Sequence, residues 1–228
     1  MNDRSYVNDR AAYVNDRRAC RWAVGRMTSG LLGRMTPGLL GLALLLVGLS
    51  TSACGGRSDY ERMVDRELAR GVEYNELFLG YELGMSRQAF YDRGWELNRQ
   101  GLAIQGPMNQ SVQYDLDDML PHPAKMYYYA DFHDDRVFQM RARFVYDGWA
   151  PWNRNLSADS LQVDVVSLFT EWYGDGFVER GSGRGDLHYV KVDGNRRIVV
   201  AKQSDSEVVA VFTDLAVERT LGERDDQK

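Results

Sequence analysis

The chain has 228 residues, 44% of them hydrophobic and 27% charged, with a formal charge of −5; this is the composition of an ordinary globular protein of one or two domains. Seven arginines and three aspartates precede Cys54, which leaves the remainder with 21 bases against 30 acids, a formal charge of −9. That acidic balance argues against a nucleic-acid partner, whose phosphates need clustered lysine and arginine, and against broad adhesion to an anionic membrane surface.

Before Cys54 the sequence reads as an export leader. Residues 6–10 and 13–17 both spell YVNDR, and GRMTSGLL is followed at once by GRMTPGLL. Residues 1–26 are expected to be an extension without structure, since a start at Met27 or Met35 gives a leader of ordinary length. Residues 38–50 carry no charge over thirteen positions, the length of a signal-peptide apolar region and short of the roughly 20 residues a spanning helix needs. Arg26 and Arg34 supply the positive flank. The run ends in Ser50-Thr51-Ser52-Ala53-Cys54-Gly55-Gly56. Small residues before a cysteine suit a lipoprotein signal peptidase, with the Cys54 thiolate taking a diacylglyceryl group. The segment resembles the lipobox, with Thr51 where leucine is commonest. An ordinary secretory signal with an incidental cysteine, or a short membrane anchor, are the other readings. Cys20 leaves with the leader, so the mature chain holds a single cysteine and no intramolecular disulfide. The expected organisation is an extension and signal peptide over 1–53, a tether over 54–58, a domain over 59–221 and a solvated tail over 222–228.

Residues 59–70 (DYERMVDRELAR) predict a charged helix with Met63 and Leu68 as its main apolar members, ended by Gly71. Residues 82–86 form a turn into a second helix, where Ser86 caps the first free N–H groups, Phe90, Gly94 and Leu97 share a face, and Gly101 stops it. Strands are expected next at 111–116, 125–132 and 136–146. Met126, Tyr128, Ala130 and Phe132 alternate with Lys125, Tyr127, Tyr129 and Asp131, and Phe138, Met140, Ala142, Phe144 and Tyr146 alternate with their neighbours. One face is therefore buried while the other meets solvent or a partner. His133-Asp134-Asp135 supplies the hairpin turn between these two strands. The pattern then restarts. Ser157 or Asp159 caps a helix running to Tyr173 and closed by Gly174, with Leu161, Val165, Leu168, Phe169 and Trp172 at helical spacing. Strands at 187–192, 196–202 and 207–213 follow, joined by Asp193-Gly194-Asn195 and Gln203-Ser204-Asp205. The expected fold is α+β: two consecutive αβββ units, alike in architecture rather than sequence, whose antiparallel sheet is covered by helices.

Leu83-Gly84-Met85-Ser86-Arg87-Gln88-Ala89-Phe90 resembles the G-M-[ST]-x-x-x-[VF] helix start of small outer-membrane-assembly lipoproteins of the SmpA/OmlA type. It is also similar to the related tandem fold of the beta-lactamase-inhibitor protein. Those families place a helix pair before a three-stranded antiparallel sheet and work by binding other proteins, which is what the resemblance implies here. The match covers about eight residues. The chain departs from the pattern in two places: Gly106-Pro107 comes well after Gly101, and 111–116 offers no clear match to the families' aromatic strand. A second resemblance spans most of the mature chain. Residues 101–106 with Ser111-Val112-Gln113-Tyr114, Gly148-Trp149-Ala150-Pro151-Trp152-Asn153, and Val190-Lys191-Val192-Asp193-Gly194-Asn195-Arg196-Arg197 are similar to uncharacterised envelope lipoproteins of Bacteroidetes-type bacteria. That resemblance implies an envelope location and no chemistry.

No catalytic constellation is legible. His122, His133, Asp134, Asp135 and His188 are the metal-like set, yet they show no HxxxH or HxH spacing, and 133–135 suits a turn; no metal or other cofactor is expected. The mature chain has no free cysteine, no Gly-x-Ser-x-Gly, and no histidine tied by spacing to a serine. Gly181-Ser182-Gly183-Arg184-Gly185 lacks the Lys-[Ser/Thr] ending of a phosphate loop and reads as a flexible connection. Arg184-Gly185-Asp186 spells an adhesion tripeptide of a kind that chance supplies often. The stretch from Gly148 to Asn153 has two readings. The preferred one makes both tryptophans core that covers the end of the sheet, with Pro151 fixing the crossover. The other makes Trp149 and Trp152 a rigid aromatic platform for a sugar ring or partner side chain, extended by Tyr127 and Tyr129 on the face opposite the core. Arg196-Arg197 reads as a solvated edge charge pair.

These readings lead to a lipid-anchored, non-catalytic cell-envelope protein with a binding or scaffolding role, held at the membrane through Cys54, with an envelope protein as its expected partner. Gly55 replaces the aspartate that retains some lipoproteins in the inner membrane, which favours the outer membrane, facing the periplasm or cell surface. The alternatives are a carbohydrate-binding surface lipoprotein using Trp149, Trp152, Tyr127 and Tyr129, and a metal-dependent envelope enzyme using His122, His133 and Asp135.

Overall fold

A computed structural model describes residues 58–107, 110–181 and 187–225; the leader, Cys54 and the Arg184-Gly185-Asp186 tripeptide lie outside them. Helix α1 (Asp59–Ala69) begins on a reciprocal cap. Ser58 Oγ accepts from the Glu61 N–H at 3.2 Å, and the Glu61 carboxylate accepts from the Ser58 N–H at 2.8 Å, so two otherwise unpaired donors are satisfied together. Helix α2 (Arg87–Arg99) is capped by Ser86 and buries Phe90 and Leu97. Gly101, at φ +72°, ends it in the left-handed region.

Four strands follow α2: β1 (Ala103–Gln105), β2 (Val112–Asp115), β3 (Ala124–His133) and β4 (Arg136–Tyr146). Helix α3 (Ala158–Tyr173) is likewise followed by four: β5 (Val178–Gly181), β6 (Leu187–Asp193), β7 (Arg196–Lys202) and β8 (Glu207–Asp214). The structure thus adds β1 and β5 to the three strands expected in each half. Both are short edge strands. The expected tail also changes, because residues 222–225 continue helix α4 (Leu215–Asp225). Ser157 occupies the N-cap of α3 without a side-chain capping bond; the Ala158 N–H donates instead to the Asp205 carbonyl at 2.9 Å, docking the helix start on the β7–β8 loop.

The strands form one antiparallel sheet in the order β1-β2-β3-β4-β8-β7-β6-β5. The last strand of each run lies at the centre. Register then decides the faces. Tyr128 pairs with Ala142, Ala142 with Ala210, and Ala210 with Val200; these residues and Met126, Met140, Phe144, Phe212 and Ile198 share one buried face. Leu161, Val165, Leu168 and Phe169 of α3 pack into the same core. On the opposite face, Val190, Val192 and Val199 are covered by Tyr60, Met63, Val64 and Leu68 of α1. Over β3 and β4 that opposite face carries Tyr127, Tyr129, Arg141 and Arg143.

Asp134 and Asp135 both adopt left-handed backbone, at φ 46° and 62°, as a two-residue hairpin between antiparallel strands demands. The segment between α1 and α2 carries no period in the sequence, yet it buries Leu77, Phe78, Tyr81 and Leu83. The Leu77 N–H donates to the Tyr81 carbonyl at 2.9 Å, and the Leu83 N–H to the Asn75 carbonyl at 2.8 Å. This fold-back drives the Phe78 ring edge-on against Tyr128 and Phe212, with centroids 5.1 and 5.6 Å away.

Candidate functional site

Structure and sequence differ most at Arg196-Arg197. Alternation along β7 sends the two side chains to opposite faces of the sheet, and neither is a solvated edge charge. Arg197 is held on the α1 side by Tyr60 Oη (3.2 Å) and Glu218 (2.5 Å). Arg196 is only 4% exposed. It donates to the Glu76 carbonyl at 2.6 Å and to Asp193 at 3.1 Å, and its guanidinium lies 4.6 Å from the Tyr173 ring centroid. The expectation failed because a sequence of two arginines after a hairpin does not show which chain will come back over them. Here residues 73–79 do so, tied down by Asn195, whose side-chain oxygen accepts from the Tyr74 N–H at 2.7 Å and whose amide donates to Asn75 at 3.0 Å.

That return creates a cavity of about 620 Å³. One wall is the 73–79 segment, with Tyr74 and Phe78; another is the C-terminal end of α3, with Trp172 and Tyr173. Tyr114 of β2 and Met119 close it, and Arg196 lines it. Among the described residues, the Tyr173 hydroxyl and Arg196 Nε are sealed within the wall with no hydrogen-bond partner. Burial holds the Tyr173 hydroxyl well above the ordinary tyrosine range, against a weaker pull from Arg196, so it stays protonated. A smaller groove of about 300 Å³ also contains Met119 and includes Asp118, Asp164, Ser167 and Glu171. Nothing in the sequence marked this site except the Trp172-Tyr173 pair closing the amphipathic helix, which reads equally as core.

The aromatic platform, the alternative to the core reading, is only partly assembled. Trp149 is 38% exposed and Trp152 86% exposed, so the preferred reading of both as core is corrected: the turn at 147–153 carries them past the end of β4 rather than over it. Tyr127 and Tyr129 do share a face. Their rings are engaged elsewhere, Tyr127 under the Arg143 guanidinium at 4.8 Å and Tyr129 against Phe90 at 5.6 Å, with its hydroxyl 2.8 Å from that of Tyr91. Burial and the Tyr91 hydroxyl push Tyr129 up to about 12. Among the described residues no ring pairing joins Trp149 or Trp152 to either tyrosine.

The metal-like set does not converge. His122 stands edge-on to Tyr146, His133 edge-on to Phe138 with its Nε2 3.2 Å from the adjacent Asp134, and Asp135 pairs with Arg87 at 2.7 Å. Among the described residues no three His, Cys, Asp or Glu side chains gather to hold a metal. His188 on β6 is held below its ordinary value of 6.5 by burial and by Arg180. As pH falls past that value the unfolded chain takes up the proton first, so the folded form loses stability until its own imidazole titrates. The urea midpoint is therefore expected to fall between about pH 7 and pH 5, and to fall less in His188→Gln. Identical slopes for the two proteins would contradict this.

No family model, curated protein or solved structure matches the chain.

Proposed function

We propose that this chain is a lipid-anchored cell-envelope protein, without catalytic activity of its own, that works by binding a protein partner. The carrying observation is the uncovered half of the sheet. Helix α1 covers the outer face of β6 and β7, whereas over β3 and β4 the same face leaves Arg141 exposed opposite Tyr129, whose ring is partly covered by Phe90 and Tyr91 of α2, with the Tyr127–Arg143 pair half-buried beside them. Tyrosine and arginine are the residue types that anchor protein interfaces, and the exposed Arg141 guanidinium, beside an Arg143 already paired with Glu207, would meet an acidic group of the partner. The order helix–four strands, repeated, supports reading the domain as two tandem units, each one strand larger than the sequence suggests. That reading accords with the resemblance to lipoproteins and inhibitors that bind proteins. The leader ending at Cys54 supports the anchor and an outer-membrane location facing the periplasm or cell surface.

The test has two arms. Mass spectrometry of native material should find the Cys54 sulfur carrying a diacylglyceryl group and the leader removed; an unmodified thiol with its apolar stretch attached rejects the anchor. Crosslinking in intact envelopes should give an adduct that Arg141→Glu and Tyr127→Ala abolish without lowering the melting temperature. An adduct indifferent to both substitutions rejects the sheet face. The exposure of Trp149 and Trp152 favours a second reading, in which those two rings form the platform, and Trp152→Ala would then be the substitution that removes the adduct.

A further inference from the structure

The turn at 147–153 holds its apolar rings away from the fold. Trp152 is 86% exposed, more than any other large apolar side chain among the described residues, and Trp149 is 38% exposed. Pro151 lies between them and restricts the backbone that carries both.

Strand register fixes where this turn lies. Val145 is opposite Glu207, Lys202 opposite Val208, and Ala201 opposite His188, so β4 and β7 end where β6 and β8 begin. The turn leaves β4 at that end, and the bond from the Ala158 N–H to the Asp205 carbonyl keeps the following chain there. Helix α1 directs its start toward the same end. Glu67 accepts from the Gly194 N–H at 3.2 Å, at the opposite end of β6. Tyr60, seven residues earlier, lies under the Arg180 guanidinium at 4.7 Å, and Arg180 is opposite His188 near the start of β6. Ser58, the cap of α1, is four residues from Cys54, and four residues span at most about 14 Å. A lipid on Cys54 therefore holds the end of the sheet that carries both tryptophans close to the bilayer.

The chemistry of that end suits a bilayer surface. An indole joins an apolar ring to a single N–H donor, and tryptophan settles where acyl chains meet headgroups. Three carboxylates at this end are paired, Asp147 with Lys125, Asp159 with Lys202 and Glu207 with Arg143, so their charge is compensated where lipid phosphates would approach. Arg154, exposed just after the turn, can donate to such a phosphate.

We infer that the turn at 147–153 is a bilayer contact, with Trp149 and Trp152 seated at headgroup level beside the lipid on Cys54. The inference rests on the proposed anchor, and it sets these rings apart from the protein-binding sheet face. The test uses the lipidated chain, purified in detergent and reconstituted into vesicles of phosphatidylcholine and phosphatidylethanolamine. The acyl chains are brominated near the headgroup in one set of vesicles and near the methyl end in another. Bromine near the headgroup should quench tryptophan emission more strongly than bromine near the methyl end. Trp152→Phe should lose most of that quenching, and Trp149→Phe part of it, with no change in melting temperature. Trp95→Phe should leave the quenching unchanged, although that ring is 66% exposed, because it lies on α2 beside β1, at the sheet edge farthest from α1. The inference is overturned if the anchored chain floats with the vesicles and its tryptophans stay unquenched. It is overturned equally if Trp95→Phe is the variant that loses quenching, or if Trp152→Phe removes a crosslinked protein partner and leaves lipid quenching intact. Those results leave the anchor standing. A chain that does not float, with its Cys54 sulfur unmodified, overturns the anchor and this inference together.

Discussion

Arg196→Ala is expected to lower stability by about 3 kcal/mol, a fall of roughly 10 °C in melting temperature for a domain of this size. The guanidinium is 4% exposed and joins three parts of the fold: the Glu76 carbonyl, Asp193, and the ring of Tyr173. Its removal leaves a buried carbonyl without its donor and empties the space beside Tyr173. Asp193 is not orphaned, because Lys191 Nζ stays 2.9 Å from it; this keeps the cost toward the lower end of the range for a broken buried pair. Arg196→Lys should recover little, since an ammonium cannot serve the carbonyl and the carboxylate in fork geometry while lying flat on an aromatic ring. Thermal and urea unfolding check this, and a loss of less than about 1 kcal/mol in the alanine variant would show that the residue is not the tie described here.

Gly194→Ala is expected to cost a similar amount, about 3 kcal/mol, for a different reason. Gly194 sits at φ +51°, and a Cβ added there would lie 2.0 Å from the Val72 carbonyl oxygen and 3.0 Å from its carbon. Backbone cannot swing aside as a side-chain tip does, so the 72–75 segment must lift off the β6–β7 turn. The same lift loosens the Tyr74 N–H bond to Asn195, 2.7 Å long. The signature is therefore local as well as global. Amide exchange should accelerate at Tyr74 beyond the general loss of protection. Gly148→Ala is the control: Gly148 is also left-handed, at φ +75°, with nothing within 4 Å of an added Cβ, so only the conformational cost of about 1 kcal/mol should appear. Equal destabilisation by the two substitutions would remove the steric argument.

The two variants act on one hub, the turn joining β6 to β7, and that hub positions the wall of the cavity. Gly194, Asn195 and Arg196 hold residues 72–76 through backbone proximity, a side-chain amide pair and a guanidinium in turn. The Asp193-Gly194-Asn195 run announces the turn, but nothing in it announces what the turn grips.

What the sequence determined by itself is local in origin. Ser58 and Ser86 start helices because their hydroxyls reach the N–H three residues on; Gly71, Gly101 and Gly174 end them; alternation through 126–130 and 140–146 and helical spacing through 161–169 put their apolar residues in the core, whereas a bulge at Asp131/Phe132 shifts the register so that Val137 is buried in place of the expected Phe138. Each of these depends on neighbours within one or two turns of chain, and the antiparallel sheet with covering helices follows from them. Tertiary structure alone decided the rest. β1 and β5 have three and four residues and exist because an adjacent strand supplies hydrogen bonds, not because their own residues favour a strand. Residues 73–79 became a cavity wall through contacts made 120 residues away in the chain, and the same contacts turned Arg196 from a surface charge into a buried tie. Trp149 and Trp152 point the same lesson in reverse: their apolar rings suggested core, but the sheet ended before it could cover them. A side chain's burial is settled by whatever segment returns over it, and that distance is not written in the local pattern.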